Sequence, residues 1–547
     1  MRRRRISANA GKIDPMTKSV TPEQLRDWIV DDDELALLDV REEGVFGRDG
    51  HLLFAVCTPL SRLELDIRAL APRRSVRMAL CDGGDGLAER AAAKLAAWGY
   101  GEISILEGGV PAWEAAGNVV FRGVNVPSKA FGEFVEHRSG TPSVSAEELK
   151  AMMDRGDDMV VLDSRPWPEY RRMNIPTGAD CPGAELAYRV HDIAPDPATA
   201  VVVNCAGRTR SIIGAQSLIN AAIPNRVMAL RNGTMGWALA GFELEHGSDR
   251  NFPDVTAAGL DRARSAAAAV ARRFGVETID RGTLEKWRGE ADRRSLYLLD
   301  VRNPAEYEAG HVAGSLSAPG GQLVQATDRW VGTLGARIVL IDDTGVRATM
   351  TASWLIQMGW RDVAVLRGGL DGGGLETGTP APEIPGFDDI DAATVPAHML
   401  ETMVMANGVT VIDLATSLEY RAGHIPGAWW AVRARLAESL GRTEGGGPLV
   451  FTSPDGVLAR LAAADARKLT PRSIRVLEGG TNAWKAAGGP LLQGFEHMAD
   501  RNDDVQYKAY DHDDNIEFHM REYLSWEVGL VDQVERDGTA RFRHFPA

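Results

Sequence analysis

Short apolar runs that end in aspartate recur four times along the chain: Leu37-Leu38-Asp39-Val40-Arg41, Val161-Leu162-Asp163-Ser164-Arg165, Leu298-Leu299-Asp300-Val301-Arg302 and Val411-Ile412-Asp413-Leu414. Each reads as a buried strand followed by a loop. A second apolar run follows each first one: Val76-Arg77-Met78-Ala79-Leu80, Ala200-Val201-Val202-Val203-Asn204, Arg337-Ile338-Val339-Leu340-Ile341 and Leu449-Val450-Phe451. Behind it come a glycine-containing loop and an alanine-rich helix pattern. A last strand then enters a double-glycine or Asn-Gly turn at Gly108-Gly109, Asn232-Gly233, Gly368-Gly369 and Gly479-Gly480. Strands that are apolar throughout and alternate with helices predict parallel sheets covered on both faces. The four leading aspartates lie 124, 137 and 113 residues apart. These intervals are those of domains rather than of solenoid repeats.

The expected organisation is an extension over 1–16, domains over 17–122, 141–245, 275–376 and 391–492, and a C-terminal segment over 493–547. No apolar stretch follows the basic Met1 to Arg5, so a signal peptide is not expected; the first 16 residues are read as a disordered extension, with Met16, just before the first structured segment, as an alternative start. Linkers are expected at 121–141, 243–274 and 377–393, where periodicity fails. The last segment mixes acids with Tyr507, Tyr510, Tyr523 and Trp526, and is expected to pack on the array.

Composition narrows the function. A net charge of -15 disfavours nucleic-acid and anionic-membrane partners, so any anion site has to be built locally. Four cysteines in 547 residues cannot form a secreted disulfide framework, and cytoplasm is the expected compartment. No run approaches the roughly 18 apolar residues of a membrane span.

The chemistry concentrates in the second unit, at Asn204-Cys205-Ala206-Gly207-Arg208-Thr209-Arg210-Ser211, ahead of a helix. Unpaired amides at a helix start stabilise an anion. Arg208 and Arg210 add positive charge, so a lowered Cys205 pKa is expected. The corresponding loops carry Cys81 with acids and glycine in the first unit, Asp342 in the third and Thr452 in the fourth. The first is expected to be inactive or weakly active, and the third and fourth inactive because neither Asp342 nor Thr452 can carry a persulfide, although Arg347 could still hold an anion. Cys57 and Cys181 each precede a loop cysteine by 24 residues. Core packing is the plainer reading of both, a relay thiol the sharper one. His311 and His424 are read as turn residues rather than metal ligands.

Together the Asp-x-Arg strand end, the Glu-Tyr step at Glu169-Tyr170, Glu306-Tyr307 and Glu419-Tyr420, Gly423-His424-Ile425-Pro426-Gly427-Ala428, the cysteine loop and the Gly-Gly-x-x-x-Trp turn resemble the rhodanese domain. The order recurs four times, as in four-domain rhodanese-related sulfurtransferases. The resemblance implies an α/β fold of four tandem domains and a sulfurtransferase working through a Cys205 persulfide. Arg210 and Arg208 would orient an anionic donor, with Ala206, Gly207 and Thr209 completing the cradle and Asp163 and Arg165 supporting it. Donors in view are thiosulfate, mercaptopyruvate and glutathione persulfide; acceptors are a thiol or cyanide. No metal or organic cofactor is implied, and homo-oligomerisation is left open. Related phosphatases and arsenate reductases use Cys-x5-Arg, whereas this chain has Cys-x4-Arg, a tighter cradle suited to sulfur. The alternative is a non-catalytic persulfide carrier or interaction scaffold.

Overall fold

The computed structural model describes residues 18–546. The extension expected over 1–16 therefore lies outside the described residues. Four sheets of similar plan follow one another along the chain. In the second, the strands run in the order Ser143–Val144, Val227–Leu230, Ala200–Asn204, Met159–Asp163, Ala179–Asp180, all parallel. Ala200–Asn204 is buried along its whole length, which is why its sequence is apolar without alternation. Local signals start and stop the helices: Ser145 and Glu148 make a reciprocal capping box before Ala146–Arg155, and Gly156 ends that helix with a left-handed φ of 69°.

The domains pair in space as second with third and first with fourth. In the first pair, Phe131, Ile212 and Ile213 share one core with Leu323, Trp354 and Leu355. In the other, Arg433 places its guanidinium 2.7 Å from Glu64, both buried. The third domain also lends Thr333–Leu334 antiparallel to the first domain's strand Leu35–Asp39.

Two helices outside the sheets tie the pairs together. The stretch read as a linker over 121–141 contains the helix Val126–Ser139, which is largely buried. Its irregular polarity misleads because it is covered by protein on several sides rather than on one face. The C-terminal helix Ile516–Asp537 packs along it. From the fourth domain the chain reaches that helix by crossing the first domain, where Glu43 donates its amide to the Asp504 carbonyl at 3.1 Å. Among the described residues no helix is long and apolar enough to cross a membrane.

Candidate active site

Strand register defines the equivalent position in each domain. The leading aspartates Asp39, Asp163, Asp300 and Asp413 pair with Cys81, Asn204, Ile341 and Thr452. Cys205 follows Asn204, so its counterparts are Asp82, Asp342 and Ser453. Two further regularities agree. A β-carbon on the second turn residue, Gly109, Gly233, Gly369 or Gly480, would collide with the carbonyl of Asp82, Cys205, Asp342 or Ser453 respectively. The amide six residues on faces the same side chain each time: Ala88 to Asp82 at 3.0 Å, Ser211 to Cys205, Ala348 to Asp342 at 3.4 Å and Ala459 to Ser453 at 3.2 Å.

This corrects two expectations. Cys81 is not the first domain's loop residue, and Thr452 is not the fourth's; both end their strands at the Asn204 position, one residue short of the cradle. The equal spacing behind Cys57 and Cys181 dissolves likewise. Cys57 pairs with Asp39 as Asp180 pairs with Asp163, so Cys57 matches Asp180, not Cys181. All four cysteines are free thiols.

Only the second cradle therefore holds sulfur. Its loop is braced from below: Arg165 clasps Asp163 through Nε at 2.9 Å and a second nitrogen at 2.7 Å, and Asn204 donates to the same carboxylate at 3.0 Å. From the side, Thr234 donates to the Cys205 carbonyl at 2.8 Å and Met235 to that of Ala206 at 3.0 Å. From above, the C-terminal helix covers it. Gly207 lies so close to Tyr523 and Glu527 that a β-carbon would come within 3.0 Å of each. Thr209 donates to Glu527 at 3.2 Å.

The two loop arginines part company. Arg208 turns away to the helix Val126–Ser139, where it makes a bidentate pair with buried Glu133 at 2.6 and 2.7 Å and a contact with Glu136. It does not line the cavity above the loop, which corrects the expectation that it orients a donor; a buried carboxylate on the neighbouring helix claims it. Arg210 lines that cavity, which measures about 420 Å³ and is also bounded by Ala206 and Met235. The cavity takes its walls from three domains and the tail. Five cationic side chains, Arg122, Lys129, Arg210, Arg329 and Lys508, face three carboxylates, Glu43, Glu169 and Glu522. A locally positive site thus exists in an acidic protein.

Domains two and three frame Arg210 by an approximate two-fold relation. Arg210 meets Glu169 at 2.8 Å and Gln322 at 3.2 Å. Its counterpart Arg347 meets Glu306 at 2.7 Å, Glu185 at 2.8 Å and Asp343 at 2.8 Å. Fully buried among three carboxylates, Arg347 has no charge left to offer an anion, contrary to expectation. Arg210 has one carboxylate and an amide, because Gln322 stands where the relation puts Glu185. Leu87 and Leu458 occupy the arginine position in the first and fourth domains.

Burial pushes the Cys205 thiol above its ordinary value; Arg210 and the Ser211 hydrogen bonds oppose this, while Glu527 reinforces it. The expected lowered pKa is therefore not found, because Cys205 is only 2% exposed beneath the tail. Cys57, Cys81 and Cys181 are pushed up much further, also by burial. His311 and His424 each stack on the tyrosine four residues earlier, with ring centres 3.8 Å apart, and each bonds its carbonyl.

Burial opposes ionisation of Glu169 too, but Arg210, Lys508 and Arg165 outweigh it and hold this carboxyl at about 2. Unfolded, the group titrates near 4.5. Its contribution, about 3 kcal/mol, is therefore complete above that value and is lost as pH falls through the range down to the folded value. Thermal unfolding of wild type and Glu169→Gln is expected to differ most at neutral pH and to converge in acid. A gap of constant size would show that the pair does not stabilise the fold.

Four parallel-sheet domains with a cradle loop behind the second landmark strand define a tandem rhodanese architecture. The Rhodanese-like domain family matches residues 21–116, 145–240, 281–374 and 396–487, and the chain belongs to it. The chain is similar to the thiosulfate sulfurtransferase of Pseudomonas aeruginosa, with 47% identity, 97% of this chain and 100% of that one covered, and a TM-score of 0.92. A rhodanese-related protein of Thermoplasma volcanium is 22% identical over 19% of this chain and 99% of its own, with a TM-score of 0.17. No curated protein matches.

The tail and the inter-domain helix carry what sequence reading missed: Lys129, Glu133, Tyr523 and Glu527. Tyr523 and Glu527 sit one helical turn apart among apolar residues, a detectable pattern. Nothing local marks Lys129.

Proposed function

We propose that this chain is a sulfurtransferase that moves sulfane sulfur from thiosulfate to a thiophilic acceptor, with Cys205 as the carrier. One observation carries the reading: of four equivalent cradles, only that of Cys205 holds sulfur, and only its arginine opens onto a cationic cavity. Similarity to a protein named thiosulfate sulfurtransferase supports thiosulfate as donor.

Arg210 draws the dianion into the cavity and, with the other cations there, neutralises it. Entry of the donor pairs part of the Arg210 charge, so ionisation of Cys205 relies on the Ser211 donors and the start of the helix Thr209–Asn220. The thiolate attacks the outer sulfur. The sulfur–sulfur bond of thiosulfate breaks, sulfite leaves with the electron pair, and Cys205 keeps a persulfide. An acceptor then takes the terminal sulfur and restores the thiolate. Ala206 and Gly207 form the backbone of the cradle, Thr209 ties it to the covering helix, and Asp163 with Arg165 holds it from beneath. Arg208 shapes the loop through Glu133 rather than touching the donor. Four free thiols suit a reducing, cytoplasmic setting.

Intact mass after incubation with thiosulfate, mercaptopyruvate or glutathione persulfide tests the reading. Thiosulfate is expected to add one sulfur atom, mapped to the Cys205 peptide and released by cyanide with steady turnover. Loading without turnover would instead indicate a carrier, and no loading by any donor would defeat both.

A further inference from the structure

Lys129 is only 5% exposed, yet it lines the cavity beside Ala206 and Arg210. Its hydrogen bond goes to a phenol rather than a carboxylate: Nζ donates to the Tyr523 hydroxyl at 2.8 Å. The same nitrogen lies 4.5 Å from the centre of the Tyr523 ring and 4.6 Å from that of Trp526. Tyr523 donates in turn to Glu527 at 2.9 Å. The other Glu527 oxygen has no partner among the described residues, although the side chain is 1% exposed and lies against the Cys205 loop at Gly207. Amine, phenol and carboxylate thus form a buried chain between the cavity and the nucleophile's loop.

Burial strips hydration from the ammonium, and the ring faces and the phenol restore only part of it, so its proton is given up more readily than that of an exposed lysine. Burial brings Lys129 down to about 8; Glu527 opposes this, Arg210 and Lys508 add to it, and Asp328 opposes it. Neutral amine is then present near physiological pH, in a cavity whose excess positive charge suits an anionic visitor.

Resting on the reading that Cys205 carries sulfane sulfur, we propose that Lys129 is a catalytic base that deprotonates a small anionic thiol acceptor in the cavity. The neutral amine takes the S–H proton and becomes ammonium. The acceptor sulfur keeps the bonding pair and attacks the terminal sulfur of the Cys205 persulfide. The sulfur–sulfur bond of that persulfide breaks, its electron pair stays on Cys205 as thiolate, and the acceptor departs as a persulfide. The ammonium then returns its proton to water, and no oxidant or reductant is consumed.

The test uses full-length protein loaded with thiosulfate, freed of donor and mixed with thiols of increasing pKa or with sulfite, which has no S–H proton to lose. Quenched intact mass reads the rate at which sulfur leaves Cys205. Lys129→Met is expected to slow transfer to the most basic thiol about a hundredfold. The deficit should shrink as thiol pKa falls and be small for sulfite. Lys129→Arg should behave like Lys129→Met, because guanidinium stays protonated. Tyr523→Phe, which removes the hydrogen bond and keeps the ring, should steepen the same dependence. Rescue by arginine, or an equal deficit for thiols and sulfite, would overturn the proposal in favour of a charge or packing role. Loading of Cys205 in each variant reports that the site is folded. Failure of the wild type to load would instead remove the sulfur-transfer reading on which the proposal stands.

Discussion

Cys205→Ser is expected to abolish sulfur loading and to lower turnover with thiosulfate by at least about four orders of magnitude, since a serine hydroxyl cannot carry sulfane sulfur. A variant that keeps Cys205 but has Cys57, Cys81 and Cys181 all replaced should still load one sulfur. The reason is positional. Cys81 ends its strand opposite Asp39, inside the core, and the cradle beside it belongs to Asp82, whose carboxylate already accepts the loop amides of Gly84 and Ala88. Burial, reinforced by neighbouring carboxylates, keeps Cys57 and Cys181 protonated, and at Cys181 it outweighs the opposing charge of Arg189. Mapping of the added sulfur by peptide mass decides the matter; label at Cys81 in the Cys205→Ser protein would show that register does not define the reactive position.

Arg210 and Arg347 provide the second large contrast, because approximate symmetry gives them matching places and their partners give them opposite duties. Arg210→Met is expected to lower kcat/KM for thiosulfate by about a hundredfold or more, as loss of an oriented, charged contact to the transition state does. Arg347→Met should leave turnover nearly unaltered in the protein that remains folded, but destabilise it by about 3 kcal/mol, because Glu185, Glu306 and Asp343 lose the cation between them and only Glu185 keeps another, Arg189. Gln322→Glu joins the two cases: it gives Arg210 the second carboxylate that Arg347 has, and should weaken thiosulfate capture at low salt. Steady-state kinetics with thermal unfolding on the three variants separates these roles. Equal kinetic losses at Arg210 and Arg347 would mean that both act only through the domain interface.

Much of the architecture was legible in the chain. Apolar strands without alternation gave parallel sheets, because a strand buried on both faces has no polar side to show. The Asn-Gly and Gly-Gly turns were visible as landmarks, and the fold explains them: a side chain on the second residue would strike the cradle carbonyl. That Cys205 lies just ahead of a helix with Arg210 in its first turn was readable from the local sequence. Register was not readable to the single residue, so Cys81 and Thr452 were assigned one place early; a loop of unequal composition gives no mark of where its strand stops pairing.

The partners of the charged groups belong to tertiary structure alone. Arg208 and Arg210 are two residues apart and alike in sequence, yet Glu133 and Glu136 from an inter-domain helix hold one away from the cavity, while the other, paired with Glu169 and with the amide of Gln322 in place of a second carboxylate, faces it. The lowered Cys205 pKa expected from local charge is reversed by burial under a helix more than 300 residues further along the chain. Sequence determined the four folds and the one cradle with sulfur, since both follow from hydrophobic pattern and residue identity within a domain. Which charges reach that sulfur, and what covers it, was decided by packing between domains, because electrostatic effects depend on distance in space and on exclusion of water, neither of which is written in neighbouring residues.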